Sequence, residues 1–305
     1  MQSKTAVSKY PSVGLFKRLY NIIQAYFYQD DVNHVTGEVH FLTYLLNRQK
    51  TILTILDCVM MERLHGIRRW IFWLFWLWLP EKRCSVITVI SEATRQQVLN
   101  YLHCDPAKVK VIYCNVSDDF KFVAKKFNQD CPQILQVGTF PNKNIERVVV
   151  ALAGLPCKLV IIGFLSKAHL ELLQQYQVKF ENFENLPRDA LVAQYEACDL
   201  VIFASTYEGF GLPIVEANAV GRPVITSNIC SMPEVAGDAA CLVDPLDVAD
   251  IRAAVLRVIN DKVYRDQLVA NGLENVKRFQ IETIAAQYAD LYRAIYMESK
   301  LKGLS

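Results

Sequence analysis

A chain of 305 residues has room for two domains or one large one. Its 52% apolar content supplies a sizeable core, and a net charge of +2 with scattered basic residues excludes the strong field that nucleic-acid binding needs. Nine cysteines, an odd count with no Cys-x-x-Cys pair, lie mostly in apolar runs and read as small core residues of a reducing compartment.

The opening MQSKTAVSKYPSVG has no apolar core of the secretory type. Gly14 to Tyr28 carries loose helical periodicity through Leu15, Leu19, Ile22, Ile23 and Tyr26. Val32 to Leu46 reads as a short strand, a turn at Gly37 and a helix, with His34 and His40 as structural side chains. Thr51–Leu56 is a strand ending at Asp57. Trp70–Leu79 is nearly all apolar but falls short of the ~20 residues that span a bilayer. Two readings stay open for it. One is a helix packed inside the first domain. The other is a peripheral membrane contact, because Trp rings and the flanking Arg68, Arg69, Lys82 and Arg83 suit an interface. Ser85–Ile90 is a strand, Ser91 caps the next helix, and Val109–Tyr113 is a strand leading to a polar linker, Asn115–Cys131.

The second half alternates. Strands fall at Gln133–Gly138, Lys158–Gly163, Val178–Glu181, Asp199–Ala204, Pro223–Ser227 and Ala240–Val243. Helices lie between them at Asn144–Leu152, Lys167–Gln177, Arg188–Cys198 and Leu212–Ala219, and nearly everything after Asp247 is helical. That pattern is an α/β, doubly wound parallel sheet, whose ligands bind beyond the carboxyl ends of the strands. The expected domains are 1–125, 126–285, and a C-terminal helix over 286–305 that is able to cross back to the first domain.

Asp199 to Asn228 is the most informative stretch. A buried strand is followed by the loop Thr206-Tyr207-Glu208-Gly209-Phe210-Gly211, and Pro213 sits in the first turn of a helix. Free amides at that helix start, approached closely across two glycines, form an anion site. Glu208 and Glu216 flank it. Lys143, at the opening of a helix after another strand, is the candidate cation for the same crevice. Glu234, in Ser231-Met-Pro-Glu234, reads as a second capping pattern; Leu186 and Tyr195 are candidates to line a base pocket, although Tyr195, at helical spacing from Leu191, fits a core position better.

The string Glu208-Gly-Phe-Gly-Leu-Pro-Ile-Val-Glu216, followed by Gly221-Arg222-Pro223-Val224 and Met232-Pro233-Glu234-Val235-Ala236-Gly237, resembles the Glu-x7-Glu signature of the group 1 glycosyltransferases, the family often called GT4. The resemblance runs from about Asn33 to about Tyr292 and is strongest after Cys131. It implies a GT-B fold, two Rossmann-like domains facing a cleft, and transfer of a sugar with retention of configuration from a UDP- or GDP-sugar to a glycan or lipid-linked acceptor. It implies no metal and no cofactor, and the sequence contains no Asp-x-Asp. Glu208 and Lys143 are the implied catalytic residues. Thr139, Lys143, Gly209, Phe210, Gly211, Leu212 and Glu216 are the implied donor-binding residues, with Glu216 accepting from the ribose hydroxyls. The implied location is cytoplasmic, at the inner face of the membrane if Trp70–Leu79 touches it.

The chain departs from the family pattern in three places. Thr139 stands where many relatives have Arg, and Leu56-Asp57 where many read His-Asp. The first strand-helix unit is missing before Tyr10, so the N-terminal domain is expected to be incomplete and to expose a sheet edge and apolar surface. A second expectation, of a different class, is therefore a non-catalytic or truncated remnant that binds nucleotide or a partner.

Overall fold

The computed structural model describes residues 4–301 and 303. The chain begins with helix α1 (Leu15–Phe27), strand β1 (Asn33–Val35), a 3-10 segment (His40–Leu45) and β2 (Thr51–Ile55). Helices α2 (Val59–Arg63), α3 (Gly66–Phe72) and α4 (Leu79–Lys82) precede β3 (Val86–Val89), α5 (Glu92–Leu102) and β4 (Val109–Val111). All four strands are parallel, in the order β1-β2-β3-β4. Every residue of β2 is buried, as expected of a parallel strand covered on both faces. Ser91 caps α5 as its sequence predicts, its Oγ accepting from the Thr94 amide.

The Trp-rich segment is helical, but Trp73–Trp78 winds as a π-helix between α3 and α4. The cause is local. Pro80 has no N–H to return to the Trp76 carbonyl, and the Leu79 amide bonds Leu74 O, which leaves Phe75 O without its α-helical donor. Side chains take both carbonyls: His40 Nδ1 donates to Trp76 O at 2.6 Å, and the Tyr44 hydroxyl donates to Phe75 O. Trp73 Nε1 donates to Tyr101 O and Trp76 Nε1 to Glu38 O. These two indoles are tied into the first unit, and Leu77 is buried, whereas Trp70, Ile71 and Phe75 stay exposed. Among the described residues no helix is long and apolar enough to cross a membrane.

The chain continues through β5 (Gln133–Val137), α6 (Ile145–Leu152), β6 (Lys158–Ile162), α7 (Lys167–Gln175), β7 (Lys179–Phe183) and α8 (Arg188–Ala197). It goes on through β8 (Leu200–Phe203), α9 (Leu212–Val220), β9 (Val224–Ser227), α10 (Met232–Ala236) and β10 (Ala240–Val243). Helices α11 (Val248–Asn260), α12 (Lys262–Asn275) and α13 (Ile281–Leu301) complete it. Strands β5 to β10 form one parallel sheet in the order β10-β9-β8-β5-β6-β7. Its core joins Ile134, Leu159 and Ile202 of the sheet to Val149 of α6 and Val255 of α11.

Two compact units result. One comprises residues up to Tyr113 together with those from Ala285 onward, and the other is Cys114–Ile284. In the first, His34 of β1 meets Tyr292 of α13 through Nδ1 and Thr54 of β2 through Nε2, each at 2.7 Å. In the second, the polar segment before β5 is held by buried Asp199, which accepts from Lys125 Nζ and from the amides of Asn128 and Gln133. The cysteines are free thiols. Burial pushes Cys58, Cys84 and Cys198 up to about 12, which keeps them protonated and inert.

Candidate functional site

In the second unit the strand order reverses between β5 and β8, because the chain builds β6 and β7 on one side of β5 and then returns to the other. The loops leaving the carboxyl ends of β5 and β8 lie at this switch point, where sheets of this kind bind their ligands. The first loop, 138–144, carries Thr139 and Lys143, and the second, 204–211, carries Glu208. Asn142 O accepts from the Thr206 amide at 2.8 Å, and Asn142 Nδ2 donates to Tyr207 O and Glu208 Oε1. Asn144 is buried in the left-handed conformation, and its Nδ2 donates to Ala204 O and Pro245 O. Short polar side chains thus tie the two loops together.

This scaffold brings Lys143 Nζ to 2.6 Å from Glu208 Oε1. The lysine stem lies over Gly138, where an added Cβ would meet its carbons at 3.0–3.3 Å, and φ there is +88°. The ammonium sits 4.7 Å from the centroid of the Phe203 ring. Both members of the pair are largely shielded, with side-chain exposures of 17% and 14%, so their attraction is weakly screened. Thr139 packs over Gly163, where a Cβ would come within 2.8 Å of its methyl group.

Glu208 is followed by Gly209, buried Phe210 and Gly211, whose φ of +112° precedes the first turn of α9. Leu212 opens the helix and is exposed, and Pro213 occupies its first turn. Ser231 does not cap α10. Its backbone is already helical, and its hydroxyl points to Glu208 O and Phe210 O instead, bracing the glycine loop. The capping expectation for Ser231-Met-Pro-Glu234 fails because capping needs an extended N-cap backbone, and Ser231 is helical.

Glu216 projects from α9 into a second polar cluster. Tyr195, fully buried on α8, donates its hydroxyl to Glu216 Oε2 at 2.6 Å. Arg188, at the start of α8, places NH1 at 3.7 Å from Glu216 Oε1 and stacks its guanidinium over Phe120. Burial pushes the Glu216 carboxyl up, against smaller opposing pulls from the Tyr195 hydroxyl and Arg188. Oε1 therefore faces the less enclosed side, since Arg188 is 46% exposed. Asn142, Arg188, Ser231 and the Tyr195–Glu216 bond are not legible from the sequence. Tyr195 has the helical spacing of a core residue, and it is one, with its hydroxyl as the exception.

Of the sequence-derived residues, Lys143 and Glu208 are joined directly. Gly209, Phe210, Gly211 and Leu212 run from them to α9, and Glu216 lies on that helix. Leu56, at the carboxyl end of β2 in the first unit, borders a small cavity with Glu38, His40, Asp57 and Cys58. Burial lowers the His40 pKa, favouring the neutral ring that donates to Trp76 O.

Residues 117–275, more than half of the chain, match the family model described as glycosyl transferases group 1, and the chain belongs to that family. The O-antigen chain mannosyltransferase B of Escherichia coli is 27% identical over 237 residues, which cover 69% of this chain and 61% of that protein. The chain thus spans less than two thirds of this relative. Among solved structures, the sucrose-phosphate synthase of Thermosynechococcus elongatus superposes with a TM-score of 0.80 at 23% identity, covering 93% of this chain and 79% of that one. Anabaena HepE, solved in complex with UDP and glucose, superposes with a TM-score of 0.77 at 17% identity, covering 91% and 81%. The fold is accordingly α/β of the GT-B type, with two Rossmann-like sheets.

Proposed function

We propose that the chain is a retaining, metal-independent glycosyltransferase that draws a sugar from a UDP- or GDP-sugar and passes it to a glycan or lipid-linked acceptor. The observation that carries this reading is the Lys143–Glu208 pair at the switch point, beside the start of α9. The family and the mannosyltransferase relative support glycosyl transfer, and mannose is the first donor sugar to test. The UDP named for HepE supports a nucleoside diphosphate as donor.

The chemistry requires negative charge to be received by the departing diphosphate while positive charge grows on the sugar. Lys143 Nζ and the amides of Gly209, Phe210, Gly211 and Leu212 are the groups aimed at the first need. Thr139, the neighbouring loop residue, stands near the phosphates. A diphosphate arriving at Lys143 competes with Glu208 for the ammonium. Release from that ion pair frees the Glu208 carboxylate to take the sugar hydroxyls or the growing positive charge. Glu216 Oε1 accepts from the ribose hydroxyls, while Tyr195 holds Oε2.

Nucleotide release from a panel of UDP- and GDP-sugars, GDP-mannose included, tests this directly. Lys143→Ala and Glu208→Gln should each lower turnover by about a hundredfold or more. Turnover at the unsubstituted rate in both variants would remove the pair from the mechanism.

A second reading is favoured by Leu56, whose side chain offers no hydrogen bond at the end of β2. In it the chain binds nucleotide without transferring sugar. Binding with no release to any acceptor would support this reading over the first. The proposed location is the cytoplasm, with peripheral membrane contact through the exposed part of Trp70–Leu79.

A further inference from the structure

Helix α1 is amphipathic, yet the side it turns inward is a narrow mixed one and its broad apolar arc faces outward. Asn21 and Ile22 are buried, and Asn21 exchanges hydrogen bonds with the backbone of Tyr10. Leu15, Phe16, Leu19, Ile23, Tyr26 and Phe27 are exposed, Phe16 at 85% and Phe27 at 76%. At 3.6 residues per turn these side chains and Tyr20 fill one unbroken arc of roughly 140°. An apolar face of this width has no partner within the described residues, and scattered exposure does not account for it.

Cations predominate around this face, with Asp30, Asp31 and Glu62 at its margins. Residues 4–28 and 63–80 contain no Asp or Glu. Lys4, Lys9, Lys17, Arg63, Arg68 and Arg69 are all exposed in these two segments. Arg18 joins the two, its guanidinium lying 4.6 Å from the Trp76 ring in the π-helical segment. Exposed Ile67, Trp70, Ile71 and Phe75 extend the apolar surface on that second segment. Aromatic and aliphatic side chains interspersed with an excess of cations match a bilayer surface carrying anionic headgroups.

We infer that α1 is the principal membrane-docking element of this protein, lying in the plane of an anionic lipid surface with the 63–75 segment as an auxiliary contact. This extends the contact proposed above for Trp70–Leu79, and it does not depend on the donor site. The indoles of Trp73 and Trp76 are engaged internally, so α1 supplies most of the apolar surface.

Flotation of the full chain tests this, using vesicles of phosphatidylcholine alone or with about 30% phosphatidylglycerol. The unsubstituted protein should float with the anionic vesicles, and raising salt to about 0.5 M should weaken binding at least several-fold. Phe16→Glu with Ile23→Glu, both in exposed positions, should abolish flotation while leaving the circular dichroism spectrum unchanged. Trp70→Glu with Phe75→Glu should reduce flotation only in part. Three results would overturn the inference. One is an unsubstituted protein that stays off anionic vesicles, including one that light scattering shows as a dimer split by the α1 substitutions. Another is equal binding to neutral vesicles. The third is an α1 variant that floats as before while the Trp70/Phe75 variant does not.

Discussion

Glu216 is a buried carboxylate on a helix whose residues from Ile214 onward are all buried. Burial raises its pKa, so the folded state holds the proton more tightly than the unfolded chain does. The associated stability is fully present below the ordinary carboxylate value and is lost as pH rises through the raised one. Ionising this group is therefore a local cost that a ligand with paired hydroxyl donors can offset. Glu216→Gln should accordingly raise the melting temperature at pH 7 and weaken nucleotide binding at least tenfold, as expected when an ionised acceptor is lost. Parallel melting and binding measurements check this, and a variant that melts lower and binds normally would refute it. The sequence alone marks Glu208, Glu216 and Lys143 through glycine, proline and charge at a strand-helix junction. It leaves Arg188, Asn142 and the bond from Tyr195 to Glu216 unmarked, because these arise only when α8 and the loop after β5 fold against α9.

At the scale of elements, the second unit is legible almost throughout. Its central strands are buried and read as short apolar runs between turn residues, the edge strand β7 is exposed, and the structure shifts the strand ends by at most two residues. The π-helical turn at Trp73–Trp78 is only half legible: Pro80 marks the local irregularity, but the donors to the displaced carbonyls, Tyr44 and His40, come from a distant segment. His34 is a comparable tertiary joint, linking β1, β2 and α13. Burial lowers its pKa from 6.5 to about 4, so the unfolded chain binds a proton between those values and the folded one does not. Stability of the first unit should therefore fall by about 3 kcal/mol as pH drops from 6.5 to 4. All four tryptophans lie at positions 70–78 in this unit, so their fluorescence during urea unfolding reports on it. His34→Gln should flatten the dependence by that amount, and an unchanged slope would show that His34 is not the group responsible.

At the scale of the whole molecule, the two units present different kinds of surface. The second brings a paired lysine and glutamate to the start of a glycine loop, with a buried acid on the helix that follows. The first has a four-stranded sheet with β1 at its edge and a helix whose apolar face is uncovered. Helical periodicity marks α1 as amphipathic, but it cannot tell which side of the helix meets the core.

The central claim is that the Lys143–Glu208 pair marks a nucleoside diphosphate site. Titration calorimetry of the full chain with UDP and with GDP tests it most directly. One of the two should bind, and Lys143→Ala should weaken that binding by about tenfold or more, in line with loss of a charge-assisted contact. Failure of both nucleotides to bind, or equal affinity in Lys143→Ala, would contradict the account.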